Sequence, residues 1–179
     1  MTQGTRLANA SADLPWPLTF DAFSFGTWAF NTLRCNIIFR GHQFALDNEL
    51  DGPSGPPPTS NWMDRWSASF NVFADMMPPG QVEVRWTSMD GVEHYVEIDL
   101  IRDIFPDRAI LHDVAREDVW EFWATDSFGH HPEVLMEVND RTITVYMRSC
   151  IMTQTWEGEG DDRRRIMRPG LFKAWAKTY

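Results

Sequence analysis

The sequence predicts an α+β fold built mainly from an antiparallel β-hairpin sheet with one or two short helices, and three observations predict it. Apolar and polar residues alternate in short runs: Leu33, Cys35, Ile37 and Phe39 are interleaved with Arg34, Asn36 and Arg40, the period of a half-buried strand. Turn-forming pairs, Asp90-Gly91 and Asn139-Asp140, join two such couples of runs, as hairpins require. Helical spacing of three and four is confined to a short stretch, with Val119, Phe122 and Trp123 on one side. At 179 residues with 43% hydrophobic residues, one domain spanning 1–179 with a sizeable core is expected.

Taken in order, residues 1–13 read as a flexible arm, and Leu14-Pro15-Trp16-Pro17 as an extended entry, because each proline disfavours helix in the residue before it. Phe20, Phe23, Phe25, Trp28 and Phe30 crowd one segment that suits either strand or helix. Residues 33–44 are the clearer strand. The Pro/Gly-rich stretch 51–60 excludes helix and central strand, since proline lacks the backbone donor, and reads as a surface loop. Trp66, Ala68, Phe70 and Val72 then alternate.

Residues 82–87 and 92–100 form the best hairpin, with Val82, Val84 and Trp86 on one face and Trp86 expected to be buried. A short helical turn is expected over 101–105, ended by Pro106. Residues 115–124 form a candidate helix, with Glu117 and Asp118 suited to its N-terminal dipole. Residues 133–138 and 141–147 give a second hairpin that continues to Met152. Glu157 to Gly160 is a loop, and the terminal apolar segment 166–175 is a candidate helix after Pro169.

The net charge of −10 is uneven. Residues 93–140 carry thirteen Asp/Glu against three Arg, whereas 161–179 carry four Arg and two Lys against two Asp. Such a chain repels phosphate backbones, so nucleic acid is not the expected partner. A basic protein would be attracted and its encounter accelerated. Cys35 and Cys150 both lie in apolar strand-like runs and are expected to be buried thiols in a reducing compartment, or a single long-range disulfide if the protein is exported. No run of apolar residues is long enough to span a bilayer, and 1–13 lacks an apolar signal core. The expected location is cytoplasmic, or periplasmic if a leader has been removed.

Chemistry-bearing patterns are sparse. His130 and His131 are adjacent, with Asp126 and Glu133 nearby, but the spacing is not that of a metal motif, and no metal or cofactor is expected. His94 or His112 paired with Asp99 or Asp113 would make an acid–base site, and Glu117/Glu121 a carboxylate pair. Neither is accompanied by a nucleophile elbow or a phosphate loop, so no catalytic residue is assigned. Recognition fits better. Trp120 and Trp123 sit among Glu117, Asp118, Glu121 and Asp126, and exposed aromatics beside acids make hot spots for a basic partner.

The stretch Val82-Glu-Val-Arg-Trp86, Ser88, Asp90-Gly91, His94, Ile98-Asp-Leu100, Ile104-Phe105 and Leu111-His112 resembles immunity proteins encoded beside bacterial secreted toxins, including those of type VI secretion. The resemblance implies a scaffold with no active site that neutralises a cognate toxin by surface complementarity, and the acidic charge of the chain points to a basic one. It carries over no functional residue. Two other functions compete with it: a small hydrolase using carboxylate and histidine chemistry, and an adaptor or chaperone for a secreted effector.

Overall fold

A computed structural model describes residues 14–45, 52–58, 62–125 and 130–179. Within them, alternating runs become strands in two sheets. One sheet is ordered β4-β1-β7-β8-β9, from Phe70–Val72, Phe23–Phe30, Glu133–Asn139, Thr142–Glu157 and Arg164–Thr178. The other is ordered β3-β2-β5-β6, from His42–Ala45, Thr32–Phe39, Gln81–Ser88 and Glu93–Asp99. Neighbours pair antiparallel except β1 with β7. Two short α-helices, α1 (Trp62–Arg65) and α2 (Glu121–Thr125), complete the expected mainly-β α+β fold.

The facing sides of the sheets share a core. Phe23 and Phe25 of β1, Val134, Met136 and Val138 of β7, and Ile143, Val145 and Met147 of β8 meet Ile37, Phe39, Val82, Val84, Trp86 and Ile98 of the second sheet. The expected hairpin is β5–β6, with Trp86 only 2% exposed. Its turn runs through Asp90 to Gly91 at φ 83°, a conformation that favours glycine. The Trp86 indole donates to Asp140 O (2.7 Å) and Met89 N to Asp140 Oδ1 (2.9 Å). The two hairpin turns are thereby tied together across the sheets.

A second apolar layer covers the outer side of the first sheet. Trp66 (1% exposed) packs there with Trp62, Trp28, Phe30 and Tyr146. Arg148 donates to Met63 O and Trp66 O and pairs with Glu133 (2.7 Å), so one guanidinium satisfies the terminal carbonyls of α1. Of the Pro/Gly-rich loop, 52–58 is described. It is held along β2 by Ser54 N to Thr32 O (2.8 Å) and Asn31 N to Gly55 O (3.1 Å).

Several expectations are corrected. The 20–30 segment resolves to strand β1. Residues 33–44 are two strands, split where Arg40 and Gly41 take φ of 51° and 74°. Trp66 ends a helical turn, and only Phe70–Val72 of its run is strand. The 101–105 turn begins one residue earlier, at Leu100, where the Asp99 side chain accepts from Ile101 N and Arg102 N. The terminal segment is strand β9, not helix, because it pairs with β8 almost to the end of the chain. Cys35 is buried, but Cys150, on the outer side of β8, is exposed. The arm 1–13 and Asp126 lie outside the described residues. Among the described residues, no helix is long and apolar enough to cross a membrane.

Candidate binding surface

β8 is twice as long as β7, and this difference builds the surface. β7 pairs only as far as Arg148. Beyond it, β8 and β9 continue together as a ribbon to Glu157 and Arg164. The segment before α2 takes the place β7 vacates: Val119 bridges Thr153, and Trp120 N donates to Met152 O (3.0 Å). Gln154 Nε2 adds bonds to Glu117 O (2.9 Å) and Val119 O (3.2 Å).

That docking breaks the expected 115–124 helix. Arg116–Asp118 make one 3-10 turn, Val119 is extended at φ −72° and ψ 134°, and α2 begins only at Glu121. The break resets the helical phase. Val119, Trp123 and Ala124 still face inward, but Phe122, expected on the same side, is turned out and is 65% exposed. Trp123 is 8% exposed, which removes it as a contact anchor. Trp120 is half-buried, and Glu117, Asp118 and Glu121 are exposed around it.

The exposed side chains form a ridge. Phe122 lies against Trp120, with ring centroids 5.2 Å apart. The Arg165 guanidinium is stacked between Trp120 (4.1 Å) and Trp156 (4.4 Å), and Arg163 lies over Trp156 (4.7 Å). Trp156 is 44% exposed. Arg165 Nη1 donates to Gln154 O (2.9 Å), fixing the guanidinium plane. Stacked arginine and tryptophan at an exposed position are the residue types that dominate binding energy at protein interfaces. Phe122, Trp156 and Arg165 were not picked out from sequence. A continuous helix over 115–124 places Phe122 on the same side as Val119 and Trp123, and Trp156 and Arg165 are brought to Trp120 only by β8–β9 pairing.

Beside the ridge is a cavity of about 150 Å³, lined among others by Trp123, His130, His131, Cys150 and Met167. The histidines do not activate the thiol. The His130 ring nitrogens meet Thr19 O (3.0 Å) and Trp123 O (3.2 Å), and His131 Nε2 meets Ser24 Oγ (2.9 Å). Burial pushes the Cys150 thiol up and the His131 imidazole down, the reverse of a thiolate–imidazolium pair. His94 is stacked on Trp86 (4.6 Å) and meets Ser88 Oγ (3.0 Å). Ser88 is fully buried, so this contact holds the hairpin together and offers no nucleophile to a substrate. His112 is packed edge-on against Trp16 at 5.2 Å. Among the described residues, no three His, Cys, Asp or Glu side chains are grouped to hold a metal.

The fold and surface define a two-sheet, β-rich protein with an exposed aromatic–arginine ridge. No family model, curated protein or solved structure matches the chain.

Proposed function

We propose that this chain is an immunity-type protein that binds and neutralises a cognate secreted bacterial toxin in the cytoplasm, and that the Phe122–Trp120–Arg165–Trp156 ridge is the centre of the contact. The observation that carries the binding reading is the ridge itself: Phe122 and Trp156 are held out of the core, on either side of a half-buried Trp120 and the guanidinium stacked on it. The resemblance over 82–112 supports a toxin as the partner. Glu117, Asp118 and Glu121 beside the ridge steer a basic partner toward it, while the aromatics resist its departure.

The test is co-expression with the toxin encoded by the adjacent reading frame, followed by binding kinetics at two salt concentrations. Phe122→Ala with Trp156→Ala should speed dissociation about 30-fold, equivalent to about 2 kcal/mol. Glu117→Lys, Asp118→Lys and Glu121→Lys together should slow association and flatten its salt dependence. Protection and rates unchanged by both sets would overturn the proposal. Binding without protection would make the chain an adaptor instead.

A further inference from the structure

Among the described residues, β9 is an edge strand with no strand paired on its outer side. It runs fifteen residues, and none of them is buried. Its one hydrogen-bonded neighbour in the sheet is β8. Its other side, without a strand partner among the described residues, presents a row of backbone donors and acceptors, the template onto which another strand adds.

The side chains say which strand fits. β9 contains Arg164, Arg165, Arg168, Lys173 and Lys177 and no carboxylate. Arg164 is neutralised by Glu157 (2.7 Å) and Arg165 is stacked in the ridge, whereas toward the C-terminus Lys173 and Lys177 are exposed, the latter over the Tyr179 ring (4.6 Å). Pro169 lacks a backbone donor and divides the strand. Past it, 170–178 lies against the body of the sheet, opposite 142–149. Leu171 and Lys173 stand opposite Arg148 and Tyr146 on the outer face. A bulge follows, and Trp175 and Lys177 stand opposite Val145 and Ile143 on the core face. Leu171, Phe172 and Trp175 are only half-buried, leaving apolar surface that a sixth strand would cover.

A second copy of the chain fits this edge poorly. Pairing two β9 strands brings the five cations of each, with no carboxylate on either strand, beside those of the other, and like charges on adjoining strands are unfavourable.

We propose that residues 170–178 of β9 form a strand-addition site for an extended acidic segment of a partner protein, with carboxylates opposite Lys173 and Lys177 and apolar side chains between them. The site is separate from the aromatic ridge, and its test does not depend on the toxin.

The probe is a short blocked Val-rich peptide with two Glu three residues apart, so that one carboxylate meets Lys173 on the outer face and the other meets Lys177 on the core face. Two controls accompany it: its Lys-for-Glu analogue, and the acidic peptide N-methylated at alternate amides, which keeps the charge but removes the donors along one edge. Affinity is read by titration calorimetry and location by amide hydrogen exchange. The acidic peptide should bind and slow exchange in 170–178 at least tenfold while leaving β6 unchanged. Both controls should bind at least tenfold more weakly. Lys173→Glu with Lys177→Glu, at exposed positions that leave the fold intact, should weaken the acidic peptide by a similar factor. Equal binding of the N-methylated peptide would reduce the site to charge attraction and overturn the proposal. So would an absence of protection in β9, or protection there that grows with protein concentration in the absence of peptide, which would make a second copy the occupant.

Discussion

Gly26 gives the sharpest test of the outer apolar layer. It lies in β1 without a positive φ, so replacement by alanine would ordinarily stabilise the protein by about 0.4–1 kcal/mol through the unfolded chain. The contacts say otherwise. A Cβ at Gly26 lies 2.9 Å from Ala68 Cα, 3.1 Å from Ser67 O and 3.3 Å from Leu135 Cδ2. Two of these atoms are backbone, in a segment pinned by Ser69 N to Phe25 O (3.2 Å) and by Arg148 on Trp66 O. The segment cannot retreat without lifting Trp66 from its place. Overpacking of this kind costs about 1–3 kcal/mol, which outweighs the entropic gain. Gly26→Ala should therefore destabilise by roughly 1–2 kcal/mol and lower Tm by about 2–8 °C in a chain of this size. Gly55, with nothing within 4 Å of its Cβ position, is the control and should tolerate alanine. The assay is urea unfolding followed by tryptophan fluorescence. A Gly26→Ala protein as stable as wild type would refute the close approach of 66–69 to β1.

Other consequences can be checked on the isolated protein. Phe122→Ala should change folding stability by less than about 0.5 kcal/mol, whereas Trp66→Ala should cost about 3–5 kcal/mol, both read from urea midpoints; equal effects would contradict their opposite exposures. Under native conditions a disulfide reagent should modify Cys150 alone, with a rate that rises to a midpoint above the ordinary thiol range because burial raises that pKa; native modification of Cys35 would be inconsistent with its burial. The Tyr146 phenol, pushed up to about 12 first by burial and then by Glu137, stabilises the fold fully below the ordinary tyrosine value. That contribution is lost as pH rises toward 12, and ultraviolet titration should show all three phenols ionising above the ordinary value, Tyr146 last, unless the protein unfolds. The Asp90 carboxyl is held below its usual range first by the Ser88 hydroxyl, then by Val92 and Arg141. Its contribution is present above the ordinary carboxylate value and lost as pH falls through the lowered one, so Asp90→Asn should flatten that part of the acid stability profile.

The hairpins were legible in the sequence because their information is local. Alternation in β5 and β6, and Gly91 at the turn, fix both pairing and the burial of Trp86. What could not be read depended on distant partners. β9 carries apolar residues at mixed spacing and looks helical by itself. Its strand character comes from β8, whose register includes two irregularities that absorb the mixed spacing. The 115–124 segment fails as a helix for a similar reason: the free edge of β8 beyond Arg148 recruits Val119 and Trp120 as a bridge, and that pairing outcompetes weak local propensity. The placement of Glu117, Asp118, Glu121 and Trp120 near one another survives this change, since they adjoin in the chain. Trp156 and Arg165 join them only through the fold.

The acidic stretch also looks different in three dimensions. Its carboxylates do not form one face. Glu93 and Glu97 lie on the exposed side of β6, Glu117, Asp118 and Glu121 surround α2, Glu133 is paired with Arg148, and Glu137 is buried with Tyr146 and Asn139 as partners. Linear charge density therefore overstates what any contact surface presents, while the summed field still acts on an approaching basic protein. This divides the roles. In the proposed complex association would depend on all exposed acids through a field screened over about 8 Å at physiological salt, so reversing only the α2 group should slow it by part of the total electrostatic enhancement. In the proposed complex dissociation would depend on the ridge, where the arginine at the centre would be out of place in a purely electrostatic site for a basic partner. Stacked between two indoles, Arg165 is instead a planar, weakly hydrated donor able to bond partner carbonyls. The loss caused by Phe122→Ala with Trp156→Ala should consequently be nearly independent of salt, and the loss caused by the acid reversals should shrink as salt rises. If both losses scale with salt in the same way, the ridge and the acids are not separate devices, and the division between steering and anchoring fails.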